Sequence, residues 1–118
     1  AGMPGVQTLL PLMLDHMAEG NLSLEKLATL TSLNARKLFG LKEKGAITIG
    51  NHADLTFVDL KRSETITEEW IAARCGWSPF TGRTIRGWPV GTMVRGTRVM
   101  WQGDLTAPAN GQPCLFDI

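Results

Sequence analysis

The sequence predicts an α+β chain, helical over about its first forty residues and built of strands and turns after them. Three observations carry this. Leu10, Met13, Leu14 and Met17 recur at the three-and-four spacing of a single helix face. From Lys44 the pattern changes: Gly45 and Gly50 bracket a β-branched run, Ile47-Thr48-Ile49, and Ala53–Leu60 alternates polar and apolar residues like a strand with one wet face. Further on, Thr92-Met93-Val94-Arg95 and Arg98-Val99-Met100-Trp101 flank Gly96-Thr97, which predicts a hairpin with a type II′ turn.

In chain order, Ala1-Gly2-Met3-Pro4-Gly5 reads as loop. It lacks an initiator methionine, and the expectation is a piece of a longer protein. The first helix runs from Val6, tolerates Pro11 near its first turn, and ends at Gly20-Asn21. Ser23 is the expected N-cap of a second helix whose face is Leu24, Leu27, Ala28 and Thr31. A third, short helix over about Asn34–Phe39 stops at Gly40. The β half is expected from about Ala46, with Lys61–Glu64 as a polar connection. Thr65 and Glu68 have capping-box spacing, so a helical turn or two is expected over Glu68–Arg74. Cys75–Gly82 reads as loop. The tail from Asp104 reads as extended coil, with a short strand at Leu115-Phe116.

Composition bounds the function. Of 118 residues, 43% are hydrophobic and 19% charged, with a net charge of +1, which is ordinary globular composition. No apolar run approaches the ~20 residues of a membrane span. Near-neutral charge argues against nucleic acid and against an anionic membrane as partner. The sequence has no basic stretch leading into an apolar one of the secretory kind, and a cytoplasmic protein is expected. Cys75 and Cys114 fall in no metal-binding spacing and are expected as buried thiols.

Little in the chain can carry chemistry. His16 has only Glu19 near helix spacing, and His52 sits in a turn where it should face solvent. Without a third histidine or an acidic cluster, no catalytic metal site is expected within these residues, and no catalytic residue is assigned. The four tryptophans, in a chain without tyrosine, are expected in the core. The remaining candidate is the opening loop, whose glycines would let a ligand approach the backbone.

The segment from Lys44 to Asp59, with Gly45, Ile47, Gly50 and Ala53-Asp54-Leu55, resembles the phrase by which cyclic amidohydrolases leave their metal-bearing barrel. Gly2, Gly5, Thr8 and Pro11-Leu12 resemble a loop and helix of dihydroorotases. Trp77-Ser78-Pro79-Phe80, Gly82, Ile85 and Gly87 resemble a phrase of dihydroorotases and allantoinases. Gly91-Thr92-Met93-Val94-Arg95-Gly96 and Val99 resemble their closing hairpin. Four phrases in order cover nearly the whole chain.

The resemblance implies a fragment: residues 1–43 as the last helices of a metal-dependent (β/α)8 barrel, and 44–118 as a small C-terminal β-sandwich segment. It implies zinc in the full-length protein, with every ligand upstream of Ala1, and a small cyclic amide as substrate. Ala1 and Gly2 match the loop pair that contacts the substrate, although the family's first position is often aromatic. The implied partners are the rest of the barrel, a second copy of the protein and, as a further option, aspartate transcarbamoylase. Alternatives are an allantoinase- or hydantoinase-type relative, a metal-free dihydroorotase-like partner of aspartate transcarbamoylase, and a self-sufficient binding module. The 118 residues alone should bind no stoichiometric zinc and hydrolyse no dihydroorotate. Metal analysis returning one tightly held zinc per chain, lost on mutating His16 or His52, would contradict this.

Overall fold

The computed structural model describes residues 2–117, so the expectation for Ala1 lies outside it. Helix α1 spans Leu9–Ala18. It starts three residues after the expected Val6, because Val6–Thr8 form a turn in which the Gly5 carbonyl accepts the Leu9 N–H at 3.1 Å. Pro11 falls in the first turn, where its missing N–H costs least. At the other end the Gly20 N–H donates to Met17 C=O and the Asn21 N–H to His16 C=O, both at 3.0 Å, with Gly20 at φ 83°. These two bonds satisfy carbonyls that the helix end would otherwise leave open.

The expected second and third helices are one continuous helical run. Helix α2 (Leu24–Ala28) passes through a π-helical turn, Thr29–Leu33, into α3 (Asn34–Phe39). Backbone angles stay helical through the joints, and the Asn34 N–H reaches back five residues to Thr29 C=O. Within the run the Thr29 and Thr31 hydroxyls donate back one turn, to Glu25 C=O at 2.8 Å and Leu27 C=O at 2.9 Å, a pattern that bends helices. Gly40 ends it in the left-handed region at φ 62°, as expected. A side chain at Gly40 would also meet Asp117 C=O at 2.7 Å, since the tail crosses here with a single bridge between Leu41 and Phe116.

Four strands follow in the sheet order β1-β2-β3-β4: Leu55–Thr65, Thr84–Val94, Thr97–Trp101 and Asp104–Leu105. The β2–β3 and β3–β4 pairs are antiparallel. Several expectations change. Ile47-Thr48-Ile49 is not strand but exposed loop, with Ile47 at 92% and Ile49 at 103% exposure. Lys61–Glu64 is not a connection but the second half of β1, where Arg62 and Glu64, two residues apart on one face, pair at 2.7 Å.

Glu68–Arg74 forms turns rather than helix. The Trp70 N–H is capped by the Thr67 hydroxyl at 3.3 Å, and the chain goes no further than Ile71 N–H to Glu68 C=O. The hairpin exists, but its two turn residues are Arg95 and Gly96, with Val94 facing Thr97. Both have positive φ (49° and 80°), which makes the turn type I′. Gln102-Gly103 repeats the device (51° and 88°) and brings Asp104-Leu105 back as β4, where coil was expected.

The residues fall into two compact units, and the division runs through β1 and β2. The first takes residues up to Ser23 with Val58–Pro89; the second takes Leu24–Phe57 with residues from Val90 on. Each therefore combines residues from before and after the Lys44 corner, and the second contains the corner itself. In the first, Pro11, Leu14, Ile66, Ile85 and Trp88 are the buried apolar residues. Burying a side chain of this size is worth roughly 1.5–3 kcal/mol. Trp70 leans on Trp88 with ring centroids 4.9 Å apart, while Trp77 and Trp101 stay substantially exposed, so Trp88 alone of the four is core. Both cysteines are exposed, not buried.

In the second unit Leu27 is buried, and an aromatic cluster covers one glycine. The Trp101 ring lies over Gly91, Phe57 meets it edge-on at 6.0 Å, and the Arg98 guanidinium sits 5.2 Å from its centroid. A Cβ at Gly91 would stand 2.5 Å from the Trp101 ring. Gly91→Ala should therefore destabilise the protein by about 1–3 kcal/mol, and by clearly less in a Trp101→Ala background. Equal costs in the two backgrounds, read from urea unfolding, would contradict the contact.

Candidate functional site

The opening loop enters α1 through a chain of local bonds. The Gly5 carbonyl accepts both the Leu9 N–H and the Thr8 hydroxyl, the latter at 3.2 Å, and Thr8 is buried at 2% exposure. Gly2 is exposed, and among the described residues a Cβ there would meet nothing within 4 Å.

Gln7 anchors the loop. Its amide nitrogen donates to Trp70 C=O at 2.7 Å and its amide oxygen accepts the Ala72 N–H at 2.9 Å. The turn segment that follows β1 has no ladder to satisfy these two backbone groups, and one side chain supplies both a donor and an acceptor. The only sequence signal was a polar residue between Gly5 and an otherwise apolar helix.

Asp15 does similar work one helix turn on from Pro11. It is buried, its Oδ1 accepts the Arg86 N–H at 2.9 Å, and Oδ2 takes the Arg83 guanidinium at 3.2 Å. Beside it, Gly87 at φ 91° lies so near that a Cβ would be 3.0 Å from Leu14 Cβ. An acidic residue next to Leu14 on the helix stripe was the legible hint.

The corner at Lys44 is held by Asp54. Lys44 Nζ pairs with its Oδ2, and its Oδ1 accepts the Arg95 N–H at 2.8 Å. Ala53 C=O accepts the Gly96 N–H at 3.0 Å, so the left-handed turn of the hairpin is bonded at both residues. The hydrogen bond from Lys44, with that from the Arg95 amide, holds the Asp54 carboxyl below the ordinary carboxylate range. Burial opposes this, and the charges of Lys44 and His52 add to it.

His52 is half-buried rather than turned to solvent. Its N–H donates to Glu43 C=O at 2.8 Å and its Nε2 lies 3.1 Å from Glu43 Oε2. These contacts keep Glu43 at φ 57°, a conformation that costs a non-glycine residue roughly 1–2 kcal/mol. His16 is exposed and only 3.9 Å from Glu19. Among the described residues no three His, Cys, Asp or Glu side chains gather where a metal ion could bind. The residues present thus do not fit a catalytic metal centre. What they offer is a glycine loop with an accessible backbone, fixed at its helix end by Thr8 and Gln7.

Comparison with known proteins bears on what such a loop serves. A sequence profile described as the amidohydrolase family matches residues 5–99. The chain is 39% identical over 112 residues to the dihydroorotase of Halobacterium salinarum, covering 95% of this chain and 26% of that protein. It is 37% identical over 113 residues to the allantoinase of Solibacter usitatus, covering 94% and 24%. Among solved structures it is similar to the L-hydantoinase (dihydropyrimidinase) from Arthrobacter aurescens, with a TM-score of 0.85 at 37% identity over 90% of this chain and 24% of that one. The chain spans about a quarter of the length of the curated relatives it matches.

The depressed carboxyl sets the sign of a pH effect. Asp54 contributes stability in full above the unfolded carboxylate value of 3.8, and loses it as pH falls through its lower folded value. Asp54→Asn removes the charge from the Lys44 contact, and at neutral pH should cost on the order of 1 kcal/mol. Urea unfolding across pH should give wild-type and variant curves that separate above about pH 4 and converge below it. A gap that stays constant down to the acid limit would contradict the assignment.

Proposed function

The chain belongs to the amidohydrolase family, and from that premise we propose that it is the C-terminal portion of a dihydroorotase. That enzyme interconverts N-carbamoyl-aspartate and dihydroorotate, closing the ring with loss of water and opening it with gain of water. The observation that carries the reading is the similarity to the Halobacterium salinarum dihydroorotase over almost the entire chain. The Gly2–Gly5 loop adds support, because Gly2 is exposed and no described atom lies within 4 Å of where its Cβ would stand. In this reading Ala1 and Gly2 approach the bound ring with their main chain.

The same reading assigns residues 1–43 to the end of a (β/α)8 barrel and 44–118 to a β-sandwich segment, in a cytoplasmic enzyme. Among the described residues no helix is long and apolar enough to cross a membrane. The first partner is the rest of the barrel. Support comes from large apolar side chains left open, such as Leu38 and Phe39 at the end of α3 and Ile47 and Ile49 in the corner loop. Zinc, where the full-length protein uses it, would be held by residues outside these 118, as a Lewis acid and activator of water.

A second reading, an allantoinase- or hydantoinase-type enzyme, is favoured by the similarity to the Solibacter allantoinase and the Arthrobacter hydantoinase. Turnover by the full-length protein separates them. Dihydroorotate should be processed with kcat/KM at least about tenfold above allantoin or hydantoin. Inert dihydroorotate beside active allantoin or hydantoin would move the assignment to the second reading. No turnover of any of the three would favour a metal-free structural partner of aspartate transcarbamoylase.

A further inference from the structure

We infer that Gln7 is a positioning residue for the substrate loop, setting where Gly2–Gly5 can lie without touching the substrate itself; this rests on the loop reading above. The loop has no ladder of its own. Its fixed point is the Gln7 amide, which grips the chain at two backbone atoms more than sixty positions away, Trp70 C=O at 2.7 Å and Ala72 N–H at 2.9 Å. That grip is directional, because one bond needs a donor and the other an acceptor, and the planar amide allows one arrangement of the two.

The gripped segment is itself backed. Trp70 N–H is held by the Thr67 hydroxyl, the Ile71 N–H by Glu68 C=O, and the Trp70 ring by Trp88, which is buried. On the other side, Gln7 adjoins Thr8, whose hydroxyl and whose neighbour Leu9 both bond to Gly5 C=O. The turn at Trp70–Ala72 is thereby connected to the Gly5 carbonyl through one side chain and one residue of backbone. Val6, between the two anchors, is 95% exposed and adds nothing to the hold. Among the described residues, the hydrogen bonds left to the loop without the Gln7 amide are those to its own helix, at Thr8 and Leu9.

The test uses the full-length protein assayed on dihydroorotate, with Gly2→Val, Gln7→Ala and the double variant. Gln7→Met keeps the volume and removes both hydrogen bonds, which covers the case in which the alanine variant does not fold. Gln7→Ala and Gln7→Met should each lower kcat/KM by about ten- to a hundredfold, as a loop misplaced by ~1 Å would. Melting temperature should fall by only a few degrees, as the loss of two partly exposed hydrogen bonds implies. A merely structural Gln7 would add its loss to that of Gly2→Val. A Gln7 acting through the loop should cost little more once Gly2→Val has already displaced the contact. Activity within about twofold of wild type in both Gln7 variants, or losses that multiply in the double variant, overturns the inference while Gly2→Val still impairs the enzyme. Full activity of Gly2→Val overturns the loop reading, and the inference with it. No turnover of dihydroorotate, allantoin or hydantoin by the wild type removes both.

Discussion

The structure depends on side chains that satisfy backbone groups its helices and ladders leave open. Its apolar core is small, and the segments between β1 and β2 and around Lys44 have little regular structure. A hydrogen bond of this partly exposed kind contributes about 0.5–1.5 kcal/mol net, less than one core side chain, and its larger effect is to fix where the segment lies. Three polar side chains show this with long-range contacts. Gln7 closes the turn at Trp70–Ala72, Asp15 closes the start of β2 at Arg86, and Asp54 closes the hairpin tip at Arg95. Each is a polar residue inside or beside an apolar pattern, and each fixes a stretch whose own propensity is weak.

That division explains what the amino-acid sequence could tell. The stripe on α1 and the hairpin at Val94–Thr97 were legible because each signal is local. So was the Gly40 stop, where glycine alone takes the left-handed angle cheaply. The failures are equally physical. Ile47 and Ile49 look like strand because β-branched residues favour it, yet no neighbouring strand is there to pair with them among the described residues. Lys61–Glu64 looks like a loop because it is polar, yet β1 continues through it beside β2. The turn slipped by one residue because Arg95 was not expected at positive φ. Asp54 makes that angle tolerable by bonding its N–H, a contact 41 positions away that no local pattern announces.

For the site, legibility ran the other way. Opening-loop glycines were visible at once, but Gln7 was not, since its meaning lies in two partners beyond residue 69. His16 and His52 drew attention as potential ligands; His52 instead pairs with Glu43, and His16 is exposed with Glu19 3.9 Å away. The chain is similar to enzymes named for three different ring amides at closely comparable identities. That is the expected result when the residues that discriminate rings lie outside the shared segment. On the proposed reading, a loop that offers backbone rather than side chain suits such sharing, because main-chain contact would be the same whichever ring is bound.

The most direct measurement is a crystal structure of the full-length protein with dihydroorotate bound. The account predicts the Gly2 backbone in van der Waals contact with the ring, at about 4 Å, and the Gln7 amide still bonded to Trp70 and Ala72. A ring bound in the barrel with the Gly2–Gly5 loop well beyond contact would contradict it.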